Sequence, residues 1–197
     1  VKFNPGAAVV YQSGAAQTID SNFAYQRLYL ATLGGNADKV LSGAALTVNG
    51  ELNIAKNGLN DVTLNLGSDT LDANADISGD GTVSLTTGSV NIAGNWSSAG
   101  SISAGTSTIT FDGTGIQNVP GATYHNLTVN KTAGSANLAG NATVNTLTIT
   151  AGTFDAGTNS VTLAGSLLSY GTLTANNATL VFNGGAAQTF LSDTLPV

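Results

Sequence analysis

One phrase in this chain returns without a gap, and that return limits the fold more than any single residue does. Residues 89–117 open as Ser89-Val90-Asn91-Ile92-Ala93-Gly94 and continue through Ser98, Gly100, Ala104, Thr108, Phe111, Gly113 and Gln117. Residues 160–188 restate them as Ser160-Val161-Thr162-Leu163-Ala164-Gly165, then Ser169, Gly171, Ala175, Thr179, Phe182, Gly184 and Gln188. Where residues differ they keep their class, as with Ile92 and Leu163, Ile109 and Leu180, or Asp112 and Asn183. A repeat unit buries its apolar face only by stacking on its neighbours, so all 197 residues are expected to form one elongated domain, 1–197.

Inside the repeat, apolar residues alternate with Thr, Ser or Asn: Leu46-Thr47-Val48, Val62-Thr63-Leu64-Asn65-Leu66, Val83-Ser84-Leu85, Ile109-Thr110-Phe111, Leu127-Thr128-Val129 and Leu147-Thr148-Ile149. Period two with β-branched residues is the strand signal. Asn49-Gly50, Asn57-Gly58, Asp80-Gly81, Asp112-Gly113 and Asn183-Gly184 punctuate the runs as tight turns, and nothing reads as a helix. Comparable runs begin at intervals of roughly 18 to 25 residues, which suits one coil of a solenoid better than a hairpin barrel or sandwich. The expected fold is an all-β, right-handed parallel β-solenoid (β-helix) with coils of roughly 20 residues. Its handedness follows from the general habit of parallel crossovers. Thr and Asn at matching places are expected to stack into side-chain ladders along the axis.

A longer repeat lies above the coil. Val9-Val10-Tyr11 with Gly14 to Ile19 matches Ile109-Thr110-Phe111 with Gln117-Asn118-Val119, and both match Leu180-Val181-Phe182 with Gly185 to Phe190. The units are 9–108, 109–179 and a partial 180–197. The first is expected to be longer by roughly a coil and a half, with the surplus between Lys56 and Thr87, where the match is poorest.

Composition closes off several functions. Charged residues are only 8% of the chain and the net charge is −6, with no basic cluster to bind nucleic acid or an anionic membrane. No apolar run approaches the roughly 20 residues of a membrane-spanning helix, so no membrane insertion is expected. There is no Cys and no Met, and the first residue is Val1; stability must come from packing and backbone pairing, and a secreted precursor trimmed of its targeting segment is expected.

Catalysis finds few candidates. His125 is the only histidine, and Gln26 takes its place in the matching strand, so it reads as structural or solvent-facing rather than as part of a triad. No cofactor is expected, and the chain is read as a non-enzyme. Asp72, Asn74 and Asp76 have the alternating oxygen spacing of a calcium loop, but Ile77 stands where the glycine belongs and no closing Glu follows; solvated turns are the preferred reading, with a weak calcium site as the other. Trp96 and the tyrosines offer sugar-stacking faces. Leu167 replaces Trp96 and Phe111 replaces Tyr11 in other copies, however, and such exchange points to the core.

Ala93-Gly94-Asn95-Trp96-Ser97, Gly100-Ser101-Ile102, Thr108 to Gln117 and Tyr124-His125-Asn126-Leu127-Thr128-Val129 together resemble the β-strand repeats of large bacterial secreted surface proteins. Those repeats are similar in style to the solenoid segments of adhesins and filamentous haemagglutinins. The resemblance implies a fold and an extracellular, cell-surface location, and no catalytic motif.

Neither end reads as a cap. Both carry one phrase, Gly14-Ala15-Ala16-Gln17-Thr18-Ile19 and Gly185-Ala186-Ala187-Gln188-Thr189-Phe190. The expectation is therefore a structural subunit of an extracellular filament or biofilm matrix, a head-to-tail homopolymer formed by end-to-end stacking or strand exchange. The expected joint residues are Val9, Tyr11, Gly14, Gln17, Ile19, Phe182, Gly185, Gln188, Phe190, Leu195 and Val197. The alternative is an adhesin segment of a larger surface protein that binds extracellular glycans.

Overall fold

The computed structural model describes residues 4, 6–97 and 100–192, and these form a parallel β-solenoid of about 10 turns, coils about 19 residues apart. Among the described residues there is no helix, and every ladder between strands is parallel. Each turn crosses three faces. The first carries β1 (Ala8–Tyr11), β4 (Arg27–Leu30), β7 (Leu52–Ile54) and β10 (Ile77–Ser78). The second carries β2 (Gln17–Ile19), β5 (Ala37–Leu41), β8 (Val62–Gly67), β11 (Thr82–Leu85) and β13 (Ile102–Ser103). The third carries β3 (Ala24–Tyr25), β6 (Ala45–Val48), β9 (Thr70–Ala73), β12 (Ser89–Ile92) and β14 (Thr108–Phe111).

Past β14 the strands lengthen and turn corners. β15 (Gln117–Val119) pairs with the end of β16 (Thr123–Leu138), and β16 pairs along its length with β17 (Ala142–Asp155). On β17 rest β18 (Ser160–Leu163), β19 (Leu167–Ser169) and β20 (Thr172–Thr174). β21 (Thr179–Phe182) lies on β18, and β22 (Phe190–Ser192) lies on β19.

Alternation sets the core directly, because successive side chains point to opposite sides of a strand. On the third face Leu46, Leu71, Val90, Ile109, Leu127, Leu147 and Leu167 stack in register and are all fully buried. Their neighbours Thr47, Asp72, Asn91, Thr110 and Thr128 form the outer face. The expected Thr and Asn ladders appear as short steps, such as Thr70 Oγ1 to Ser89 Oγ (3.2 Å), Asn53 Nδ2 to Ser78 Oγ (2.8 Å) and Asn74 Nδ2 to Asn49 Oδ1 (3.2 Å), while Glu51 joins three coils by accepting from Tyr29 Oη (3.3 Å) and Ser78 Oγ (2.7 Å).

The long repeat is not in step with the coil. Its opening strand lies on the first face at β1, on the third at β14, and on the second at β21, so each copy sits one face back from the last. From β14 the chain makes three turns on the third face, through Leu127, Leu147 and Leu167, and then crosses two more faces to reach β21. From β1 it makes four turns, through Leu28, Leu52, Ile77 and Trp96, and again crosses two faces to reach β14. The first unit thus makes one full turn more, which accounts for most of its surplus of roughly a coil and a half. The remaining surplus lies in wide coils, since Leu28 pairs with Leu52 and Leu52 with Ile77, whereas Ile77 meets Trp96 after a shorter turn. One of the wide coils spills out as an exposed loop at Leu59, tied by the Lys56–Asp61 ion pair.

Core and outer face carry different weight. Leu127→Ala is expected to lower stability by about 3 kcal/mol, because a stacked coil cannot collapse into the cavity, while Thr128→Ala next to it stays within about 0.5 kcal/mol. Urea denaturation of the two variants checks the contrast.

Candidate functional site

The most organised polar feature is a corner that the repeat builds three times. In the first copy Ser13 N–H donates to Gln17 Oε1 at 2.9 Å, in the second Gly113 N–H donates to Gln117 Oε1 at 2.9 Å, and in the third Gly184 N–H donates to Gln188 Oε1 at 3.0 Å. The other end of the amide reaches down to the preceding coil. Gln117 Nε2 donates to the carbonyls of Ile92 (2.8 Å) and Gly94, and Gln188 Nε2 donates to those of Leu163 (2.8 Å) and Gly165 (2.6 Å). One side chain therefore ties a corner to itself and to the coil beneath.

Two of these corners are also tied to the coil above, by a buried lysine. Lys39 Nζ donates to Ser13 O (3.0 Å) and Gln17 Oε1 (2.7 Å), while Lys131 Nζ donates to Gly113 O and Gln117 Oε1. Both lysines are essentially without solvent exposure. Burial pushes both below the ordinary lysine value, and for Lys131 the charge of Asp112 opposes the shift. The lysines arrive by different routes: Lys39 pairs in register with Gln17, whereas Lys131 lies beyond a corner and five residues ahead of Ala136, the partner of Gln117.

Close stacking explains the first residue of the corner. A Cβ on Gly113 would stand 1.9 Å from Ala93 O, and one on Gly184 would stand 2.0 Å from Ala164 O. In the first copy the position is Ser13, with no described coil beneath it. Gly14 is needed for the opposite contact, since its Cβ would meet Gly34 O at 1.8 Å in the coil above. Its counterpart Gly185 has nothing within 4 Å.

The third corner stands on the face that closes the described chain. Among the described residues β21 and β22 are each paired on one side only, and their apolar residues are bare: Phe182 is 40% exposed, Phe190 48% and Leu191 40%. Their stacking partners one coil below, Leu163 and Leu167, are fully buried. The two phenyl rings meet edge to face with centroids 5.8 Å apart.

The expected joint residues fall into three groups. Phe182, Gly185, Gln188 and Phe190 gather on this open face. At the other end Val9 and Tyr11 are partly buried, Ile19 is fully buried, Gly14 packs on Gly34 and Gln17 binds Ser13 N–H and Lys39, so within the chain these residues serve its own packing. Leu195 and Val197 lie outside the described residues.

The remaining candidates have structural partners. Asp76 Oδ1 accepts from the backbone of Asn95 (2.7 Å) in the next coil, and Asn74 turns its amide toward Asn49 and Asp72, so the three calcium candidates do not aim their oxygens at one point. Among the described residues no group of three acidic, histidine or cysteine side chains could hold a metal. Trp96, Tyr25 and Tyr124 are buried. The two tyrosines donate to the carbonyls of Asp20 (2.7 Å) and Pro120 (2.6 Å), and burial raises both hydroxyls above the usual range. His125 is half-buried beside a shallow depression of about 410 Å³ on the second face, lined also by Ile102, Tyr124 and Asn145.

Comparison of the chain with protein-family models, curated proteins and solved structures found no match.

The two filled corners carry stability. Gln117→Leu leaves a buried ammonium with one acceptor and orphans Gly113 N–H, so it is expected to cost about 3 kcal/mol or more, measured by chemical denaturation. The lysines also set a pH dependence. Their folded values are lowered, so below the ordinary value of about 10.4 the unfolded chain binds more protons and stability rises with pH. Above about pH 10 the buried tyrosines reverse the trend, because the unfolded chain loses their protons first. Lys131→Met should flatten the rise and leave the later fall, as read from denaturation midpoints across the alkaline range.

Proposed function

We propose that this protein is a structural subunit of an extracellular bacterial filament, extended end to end from its C-terminal face. The observation that carries the reading is the bare apolar edge of β21 and β22. A solenoid coil left in water exposes both unpaired backbone and the apolar row that the next coil covers, and here Phe182 and Phe190 offer that row. A sparsely charged, amide-rich flank suits a passive rod better than a steering or catalytic surface. Contact between two different ends of one molecule does not close, and so it propagates.

The assignment to a secreted surface structure rests on the strand-repeat resemblance and on the composition. Glycan binding on the flank has less support, since Trp96, Tyr25 and Tyr124 are in the core and the two tyrosine hydroxyls donate to backbone carbonyls.

Purified chain at neutral pH is expected to give long unbranched fibres by electron microscopy. Phe182→Ser with Phe190→Ser should abolish them while the circular dichroism of the strands is kept. Monodisperse rods from the unaltered chain at high concentration would overturn the reading.

A further inference from the structure

We infer that Asn57 is a site of spontaneous, backbone-assisted deamidation, and that the fold selects it from three Asn-Gly pairs in the sequence. The reaction belongs to the exposed loop of a wide coil and is independent of any end-to-end contact.

Asn49-Gly50, Asn57-Gly58 and Asn183-Gly184 share a dipeptide whose second residue has no side chain to hinder its nitrogen. In each, the glycine nitrogen can attack the asparagine Cγ and close a five-membered succinimide. The N–H proton passes through water to the side-chain nitrogen, which leaves as ammonia. Water then breaks one of the two ring C–N bonds. Opening at the side-chain carbonyl gives aspartate; opening at the backbone carbonyl gives isoaspartate, with one more carbon in the main chain. The net change is amide plus water to acid plus ammonia.

Ring closure needs a glycine nitrogen free to move toward Cγ. At Asn183 that nitrogen is engaged, since Gly184 N–H donates to Gln188 Oε1 (3.0 Å), and a Cβ on Gly184 would stand 2.0 Å from Ala164 O in the coil beneath. At Asn49 the side chain is held by Asn74 Nδ2 on its Oδ1 (3.2 Å) and the backbone N–H donates to Tyr25 O (2.7 Å). Gly50 abuts the coil beneath, where a Cβ would stand 2.0 Å from Gln26 O. Neither peptide can turn without lifting a contact between coils.

Asn57-Gly58 stands clear. Asn57 and Asn60 exchange backbone bonds (3.2 and 3.1 Å) around a two-residue turn, and Gly58 has φ +62°, the left-handed value that suits the first central position of such a turn. Nothing lies within 4 Å of a Cβ at Gly58, and Leu59 beside it is wholly exposed. Among the described residues Gly58 N–H has no hydrogen-bond partner. One neutral bond, Asn57 Nδ2 to Thr32 O (3.1 Å), restrains the side chain, and the reaction removes it for good because that nitrogen leaves. The new carboxylate stands next to Lys56, which pairs with Asp61 through Nζ and binds Asp80 through its backbone N–H (2.7 Å). Deamidation therefore releases the loop from the coil beneath and gathers like charge on it, while the core columns, to which Asn57 and Leu59 do not belong, stay intact.

The test incubates the full chain in mildly alkaline buffer, folded and in urea, and follows each Asn-Gly pair by peptide mass spectrometry. Deamidation adds about 1 Da, and enzymatic methylation scores isoaspartate. In the folded chain Asn57 is expected to react at least about tenfold faster than Asn49 or Asn183, because those two wait on a local opening. In urea the three should react at comparable rates, since the selecting contacts are gone. Equal rates in the folded chain, or Asn57 ahead by the same margin in urea, would overturn the inference. Asn57→Gln is expected to remove the fast phase, and its persistence in that variant would equally overturn it.

Discussion

Every coil of this solenoid is incomplete until another coil lies on it. The constraint is backbone pairing: a parallel strand has its N–H and C=O groups answered from above and below, and its buried row is covered only when the neighbouring row stacks in register. Leu46 to Leu167 on the third face make one continuous column because each turn accepts this condition. Close approach at the corners follows from the same demand, and it fixes the glycines: Gly113 and Gly184 leave room for the carbonyls of Ala93 and Ala164 below them.

Strands can repeat without specifying how much chain separates them, and the wide coils between Leu28 and Ile77 show that the spacing varies. The corner glutamine supplies a register mark that apolar stacking lacks. Leu over Leu tolerates sliding by one coil position, whereas Gln117, itself buried, bonds its own corner, two carbonyls beneath and an ammonium above. A slipped register would leave those groups without partners, at a cost of a few kcal/mol for the ammonium alone. The polar corners thus act where the apolar columns are degenerate, an arrangement known from buried polar residues that set the pairing of helices.

Much of this was legible in the residues. Period-two alternation, Asn-Gly turns and a fixed phrase led to a parallel solenoid, and the exchange of Trp96 for Leu167 and of Tyr11 for Phe111 between copies pointed to packing. The rotation of the phrase from face to face was not legible, because matching residues report local geometry and are silent about where on a turn each copy falls. The lysines were missed for a related reason. Lys39 follows its glutamine by more residues than Lys131 follows Gln117, so no spacing links them; only the fold brings both ammoniums to one kind of acceptor pair. The constant Gln17, Gln117 and Gln188 were the available signal, as a long polar side chain retained in every copy of an otherwise variable phrase.

The two ends of the chain are not equivalent, and this bears on the symmetry of any joint. The C-terminal face presents Gln188 Oε1 and Gly184 O, and among the described residues no donor from a coil above reaches either. The N-terminal face carries Ser13 where the inner corners require glycine, so that corner cannot settle onto a carbonyl as Gly113 does. In the head-to-tail joint proposed above, Ser13 requires the step to differ at one corner from the steps inside the chain, where Gly113 and Gly184 sit against carbonyls. The side chain at position 13 would mark each subunit boundary along an otherwise uniform rod.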